Sequence, residues 1–177
     1  MGKLDSYKIE LKGLSDGVYE YDFHLDDNFF SEVNGPEVQK GDVNVHLSLR
    51  KVEESFKLDF SLSGVVIVPC DRCLDDMEYC IDSETELTIK YGTDTVDEGD
   101  KLIIAEGSNE VDLSWYLYEF VALELPLQHT HPEGECNAEM NSLLQQHSGM
   151  LDDEAESEGS EPVDSRWNEL KKLIDNN

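Results

Sequence analysis

Between residues 1 and 91, apolar and polar positions alternate with a period of two, the pattern of strands that bury one face. Tyr7, Ile9 and Leu11 alternate with charged neighbours, and Tyr19, Tyr21, Phe23 and Leu25 repeat the pattern against Glu20, Asp22 and His24. Val43, Val45, Leu47 and Leu49 form the cleanest run. Phe56, Leu58, Phe60 and Leu62 follow it after the polar turn Glu53-Glu54-Ser55, so these two runs are expected to pair as a hairpin. Met77, Tyr79, Ile81, Leu87, Ile89 and Tyr91 mark a further strand. Val65 to Val68 is apolar on both faces, which predicts a place in the middle of the sheet or beneath another element.

Elsewhere the period changes. A short helix is expected near Phe29-Phe30-Ser31-Glu32-Val33, residues 92–100 read as a loop, and Leu102-Ile103-Ile104 as one more short strand. Asp112 is the expected N-cap of a helix from Leu113 to Leu125 that Pro126 stops. This helix is apolar nearly all round, with Trp115, Leu117, Phe120, Val121 and Leu125, and is therefore expected in the core. From Asp152 to Glu161 there are six acids, no base and no large apolar side chain, a composition that cannot offset the entropy of ordering. Beyond Pro162, Asp164 can cap a short helix with Trp167, Leu170 and Ile174 on one face, the expected partner-binding residues. The pattern predicts an α+β fold: an antiparallel β-meander or barrel-like sheet with one buried helix and a short C-terminal helix. Residues 1–150 read as a single α+β domain, 151–163 as an acidic flexible linker and 164–177 as a C-terminal amphipathic helix.

Charge narrows the partners. Thirteen Lys and Arg stand against forty-one Asp and Glu, a formal net charge of −28. Phosphate affinity comes from cations that displace counterions, so direct nucleic-acid contact is not expected, nor is docking on an anionic membrane. A basic protein is the natural counterpart. The imbalance is concentrated: residues 102–165 hold fifteen acids and no Lys or Arg. The first residues carry no signal-peptide core, and Leu113 to Leu127 is too short to span a bilayer and contains Glu119 and Glu124. Four cysteines in this setting read as a reduced, cytoplasmic set.

The sharpest local feature is Cys70-Asp71-Arg72-Cys73. Two thiolates in this spacing can chelate one metal ion from a tight turn. The second pair of donors must come from Cys80, His129, His131 or Cys136, and the tetrahedral set Cys70, Cys73, His131 and Cys136 would hold one structural zinc. A tight turn with two small, partly buried sulfurs is the plainer reading of the same residues. Redox chemistry is disfavoured, because Asp71, Asp75 and Asp76 crowd the pair with only Arg72 opposing them, and such acids work against a thiolate. Ser114 and Ser142 lack a nucleophile signature, Glu119 and Glu124 fall on different faces of their helix, and no Gly-rich turn precedes a helix. No enzyme is expected; the alternative is a zinc-binding or thiol-dependent enzyme built on the cysteine turn.

Three segments together resemble the YceD-like large ribosomal RNA subunit accumulation protein family. They are Pro69-Cys70-Asp71-Arg72-Cys73-Leu74; Val111-Asp112-Leu113 with Tyr118-Glu119 and Leu123-Glu124-Leu125-Pro126-Leu127; and Asp164-Ser165-Arg166-Trp167-Asn168-Glu169-Leu170-Lys171-Lys172-Leu173. The resemblance runs from about residue 40 to the end of the sequence. It implies a role in the synthesis, processing or stability of the large-subunit (23S) ribosomal RNA in bacteria, and it supplies no catalytic residue. Many members of the family carry a second cysteine-rich turn after the Leu-Pro segment. Here Cys136 stands alone in that position, with His131 as the available substitute. Combined with the negative charge, the resemblance predicts an accessory factor that acts through a basic ribosomal or assembly protein.

Overall fold

The computed structural model describes residues 4–99, 101–105 and 107–147. The expected acidic linker and the helix carrying Trp167, Leu170 and Ile174 lie outside the described residues. The chain divides into two units after Asn141, and the architecture below is that of the first.

A six-stranded sheet runs in the order β2 (Gly17–Leu25), β3 (Lys40–Val52), β4 (Ser55–Pro69), β5 (Asp76–Gly92), β7 (Lys101–Ala105), β6 (Val96–Asp97). The expected hairpin forms with Val52 opposite Ser55, and its register sets Leu47 against Phe60. On β4, Phe56, Leu58, Phe60, Leu62, Val66 and Val68 are buried, so one face of the strand fills the core along its length. Val65 and Ile67 are half-buried on the other face, and β4 is flanked by β3 and β5 as the apolar run predicts.

Three features depart from the sequence expectation. The sheet stays open, with β2 and β6 as its edges, rather than curling towards a barrel. It is also not a pure meander. The stretch read as a loop contains β6, and β7 inserts between β6 and β5, pairing parallel to β5 and antiparallel to β6. A second sheet of two short strands joins β1 (Lys8–Glu10) to β8 (Glu110–Asp112).

Two helices cover the apolar face. In α1 (Asp27–Val33), the carboxylate of Asp26 accepts the Phe29 N–H at 2.9 Å, and Asn34 closes the helix in a left-handed conformation at φ 51°. Phe29 and Phe30 are thereby delivered into the core. In α2 (Ser114–Leu123), Leu117, Tyr118 and Val121 are buried while Trp115 and Leu123 are exposed, so this apolar helix has one core face and one bare face. Its cap position is Leu113; the expected cap, Asp112, stands one residue earlier and still accepts the Ser114 N–H at 2.9 Å. The helix stops short of Leu125, whose N–H bonds the Ala122 carbonyl in a tightened last turn. An unforeseen helix, α3 (Ala138–His147), follows. No helix among the described residues is long and apolar enough to cross a membrane.

Tyr118 ties α2 to the loop after α1. Its hydroxyl accepts the N–H groups of Glu37 at 2.8 Å and Val38 at 3.1 Å, and its ring lies where a Cβ on Gly35 would have to go. Tyr118→Phe should cost about 1–3 kcal/mol by leaving those donors unmet. Gly35→Ala should also destabilise, by about 1–3 kcal/mol, because the ring must be displaced. Denaturant midpoints of the two variants check both values.

Candidate metal centre

The turn between β4 and β5 is closed by two backbone bonds: Cys70 N–H to the Asp75 carbonyl at 2.9 Å and Leu74 N–H to the Cys70 carbonyl at 2.8 Å. Leu74 reaches the left-handed region at φ 64° to complete it, with its side chain exposed. The result turns both Cys70 and Cys73 inward, where they are 0% and 3% exposed. The Arg72 N–H points back at the Cys70 sulfur at 3.4 Å.

The other half of the site comes from the chain after α2. Asp71 holds it with two hydrogen bonds, its N–H to the His129 carbonyl at 2.9 Å and its carboxylate from the His129 N–H at 2.8 Å. Two residues on, the His131 N–H reaches the Cys70 sulfur at 3.4 Å, and its Nδ1 lies 3.3 Å from the Cys73 sulfur. Cys136 brings its sulfur to 3.9 Å from that of Cys70. Asn137 then locks the end: its side-chain NH2 donates to Asp75 at 3.2 Å, while its oxygen accepts the N–H groups of Glu139 and Met140 at the start of α3. The three cysteines form a small buried cluster of their own, packed against Met77 and Met140.

The donor atoms of Cys70, Cys73, His131 and Cys136 all lie within 4.8 Å of one another, and the cysteines are free thiols. A tetrahedron with metal–sulfur bonds of about 2.3 Å has edges of about 3.8 Å. The 3.9 Å between the sulfurs of Cys70 and Cys136 therefore already matches such an edge. Three soft sulfurs and one imidazole are the donors that zinc prefers.

The electrostatics point the same way. Burial raises the Cys70 thiol, but N–H groups of Cys73, His131 and Arg72 aimed at the sulfur outweigh it and bring the value down to about 5. This corrects the expectation that the neighbouring acids would oppose a thiolate, because backbone donors control the group. His131 is raised, chiefly by its hydrogen bond to Cys70. Cys136 is raised by burial and then by the sulfurs of Cys70 and Cys73 beside it. One thiolate thus forms readily and resists a second, and a dication would offset most of the negative charge of three thiolates.

All four residues of the expected set meet. Cys80 does not join them: it stands exposed on the outer face of β5, as its parity with Met77 and Tyr79 requires. His129 serves through its backbone, with its ring Nδ1 at 3.7 Å from the Asp71 carboxylate. The sequence reading missed the positioning roles of Asp71 and Asn137. Asn137 had a usable signal, since an Asn just before an Ala-Glu-Met run is a helix start.

The family model described as large ribosomal RNA subunit accumulation protein YceD matches residues 58–174, which include all four donor residues. The chain belongs to the YceD family. A relative, YlbN of Bacillus subtilis (strain 168), is 27% identical over 111 residues, covering 62% of this chain and 63% of the relative. No solved structure matches the chain.

Leu74 offers a test of the turn. A branched side chain in the left-handed region is strained, and here the side chain gains little from burial. Leu74→Gly should hold or raise stability, by up to about 1 kcal/mol, whereas Leu74→Val should lower it by about 1 kcal/mol. Thermal unfolding of the two variants side by side checks the sign.

Proposed function

We propose that this YceD-family protein is an accessory, non-enzymatic factor in the accumulation of large-subunit ribosomal RNA, acting in the cytoplasm by holding a basic ribosomal or assembly protein. The family match carries this reading. The charge directs it towards a protein partner rather than towards RNA. At −28, the chain repels phosphate and attracts lysine- and arginine-rich surfaces. The outer face of the sheet adds to this long-range attraction, with Glu20, Asp22, Asp42, Glu78, Asp82, Glu84 and Glu86 all exposed on its strands.

Cys70, Cys73, His131 and Cys136 would hold one structural zinc. With four protein donors the ion has no open position for water or substrate, which supports a structural role over the thiol or zinc enzyme. What zinc supplies there is a cross-link between the β4–β5 turn and the chain after α2. The protein's own part is to aim backbone N–H groups at Cys70 and to bury the sulfurs.

Two outcomes are expected. Purified protein should carry a single equivalent of zinc per chain by elemental analysis, and Cys136→Ser should lose it together with thermal stability. Cys136, raised by burial above its ordinary value, holds at neutral pH a proton that zinc must displace, and the upward shift of His131 by its hydrogen bond to Cys70 adds to the competition between protons and metal. Binding should therefore weaken as pH falls, by about tenfold per pH unit for each displaced proton. Separately, the full chain should retain large-subunit proteins from lysate at low salt and release them as salt rises; retention of none at low salt would defeat the accessory-factor reading.

A further inference from the structure

The bare side of α2 is not isolated. Trp115, Leu123 and Leu127, at 52%, 73% and 107% exposure, line one groove with Pro36, Leu125 and Pro126, of about 750 Å³. An apolar patch of this kind is unfavourable in water unless something covers it. Its wall is held in place. The chain through Leu127 leads directly to His129, which is tied by two hydrogen bonds to Asp71 in the cysteine turn. The charges at the groove select what it can take. Among the described residues, Glu37, Glu119 and His129 are the titratable side chains of its lining beside Tyr118, with no Lys or Arg, and the sequence from residue 102 to 165 contains neither.

We propose that this groove is where the partner docks, and that it takes a short amphipathic segment whose apolar side chains are flanked by lysine or arginine. The inference rests on the accessory-factor reading and locates its contact. An apolar anchor enters between Trp115, Leu123 and Leu127, while the flanking cations meet Glu37 and Glu119. The acidic sheet face is a different case. Some of its carboxylates are already engaged, Glu86 by Lys57 at 2.7 Å and Glu20 and Asp22 by His46 at 2.9 and 2.8 Å. That face does carry cavities, of about 540 and 470 Å³, but polar and acidic side chains predominate in their lining, among them His46, Glu84 and Glu86 in one and Asp26, Asp42 and Glu78 in the other.

The test uses the full chain with two labelled probes, an amphipathic Lys/Leu peptide and its Glu/Leu counterpart, read by fluorescence anisotropy. The Lys/Leu peptide should bind and the Glu/Leu peptide should not. Leu123→Asp should weaken binding by about tenfold or more even though it adds a negative charge, which separates anchoring from bulk attraction. Glu37→Gln with Glu119→Gln should weaken binding and flatten its salt dependence. Glu84→Gln with Glu86→Gln on the sheet face should change it by less than about twofold, as expected of charges away from the contact. Unchanged or tighter binding by Leu123→Asp overturns the proposal, as does loss on neutralising the sheet face. Binding that appears only after residues 162–177 are removed also overturns it, by assigning the groove to the chain itself. In the lysate experiment, capture of the same large-subunit protein by Leu123→Asp at the same salt sinks the groove and leaves the parent reading standing.

Discussion

The register of β4 against β5 is the constraint on which the rest of the molecule depends. The two strands pair continuously from Ser55 opposite Lys90 to Pro69 opposite Asp76. A slip of one residue would turn Phe56, Leu58 and Phe60 to the outside and bring Lys57 and Asp59 into the core. Burying a large apolar side chain contributes about 1.5–3 kcal/mol, so the correct register is strongly favoured over its neighbours. The same register fixes where the strands end. It is the pairing of Pro69 with Asp76 that leaves six residues for the turn and aims Cys70 and Cys73 at the chain after α2.

Most of that ladder was legible in the sequence because long half-buried strands write their periodicity plainly. The elements that escaped notice are those whose partners lie far away in sequence or whose span is too short to show a period. β8 is three residues long and is defined by β1, more than ninety positions earlier, and β6 has two residues. The parallel insertion of β7 follows from chain connectivity that no local pattern records. The helix α2 illustrates a different limit. Its composition reads as buried all round, yet Leu117, Tyr118 and Val121 are buried and Phe120 packs on Phe60 of the sheet, while Trp115 and Leu123 stand exposed.

The candidate metal set was legible as residue types and only partly as a choice among them. The spacing of Cys70 and Cys73 indicates a chelating turn on its own. Choosing His131 over His129, and Cys136 over Cys80, requires three-dimensional facts. Strand parity sends Cys80 outward, and the clip between Asp71 and His129 commits the His129 backbone to the turn, so that His131 arrives over the Cys70 sulfur. The thiol acidity was misjudged for a related reason. Counting charged neighbours in sequence weighs Asp71, Asp75 and Asp76, but a backbone N–H aimed at a sulfur acts at contact distance, where exposed carboxylates are screened by water.

A cross-link at this point has a physical reason. Residues 126–137 lie outside helices and strands, and their larger apolar side chain, Leu127, is exposed. Ordering a backbone costs about 1–2 kcal/mol per residue, and this stretch buries little beyond Cys136 to offset that cost. Hydrogen bonds from Asp71, Asp75 and Asn137 contribute about 1 kcal/mol each, which is too little for a dozen residues. A tetrahedral zinc in small metal-dependent domains contributes on the order of 10–16 kcal/mol, the scale required. The separation of the cysteine cluster from the main core fits this division of labour. The sheet is held by apolar burial, whereas the loop that walls the α2 groove depends on sulfur and imidazole donors converging on one point. On that account an ion held by Cys70, Cys73, His131 and Cys136 would order the surface beside it from a point outside the groove.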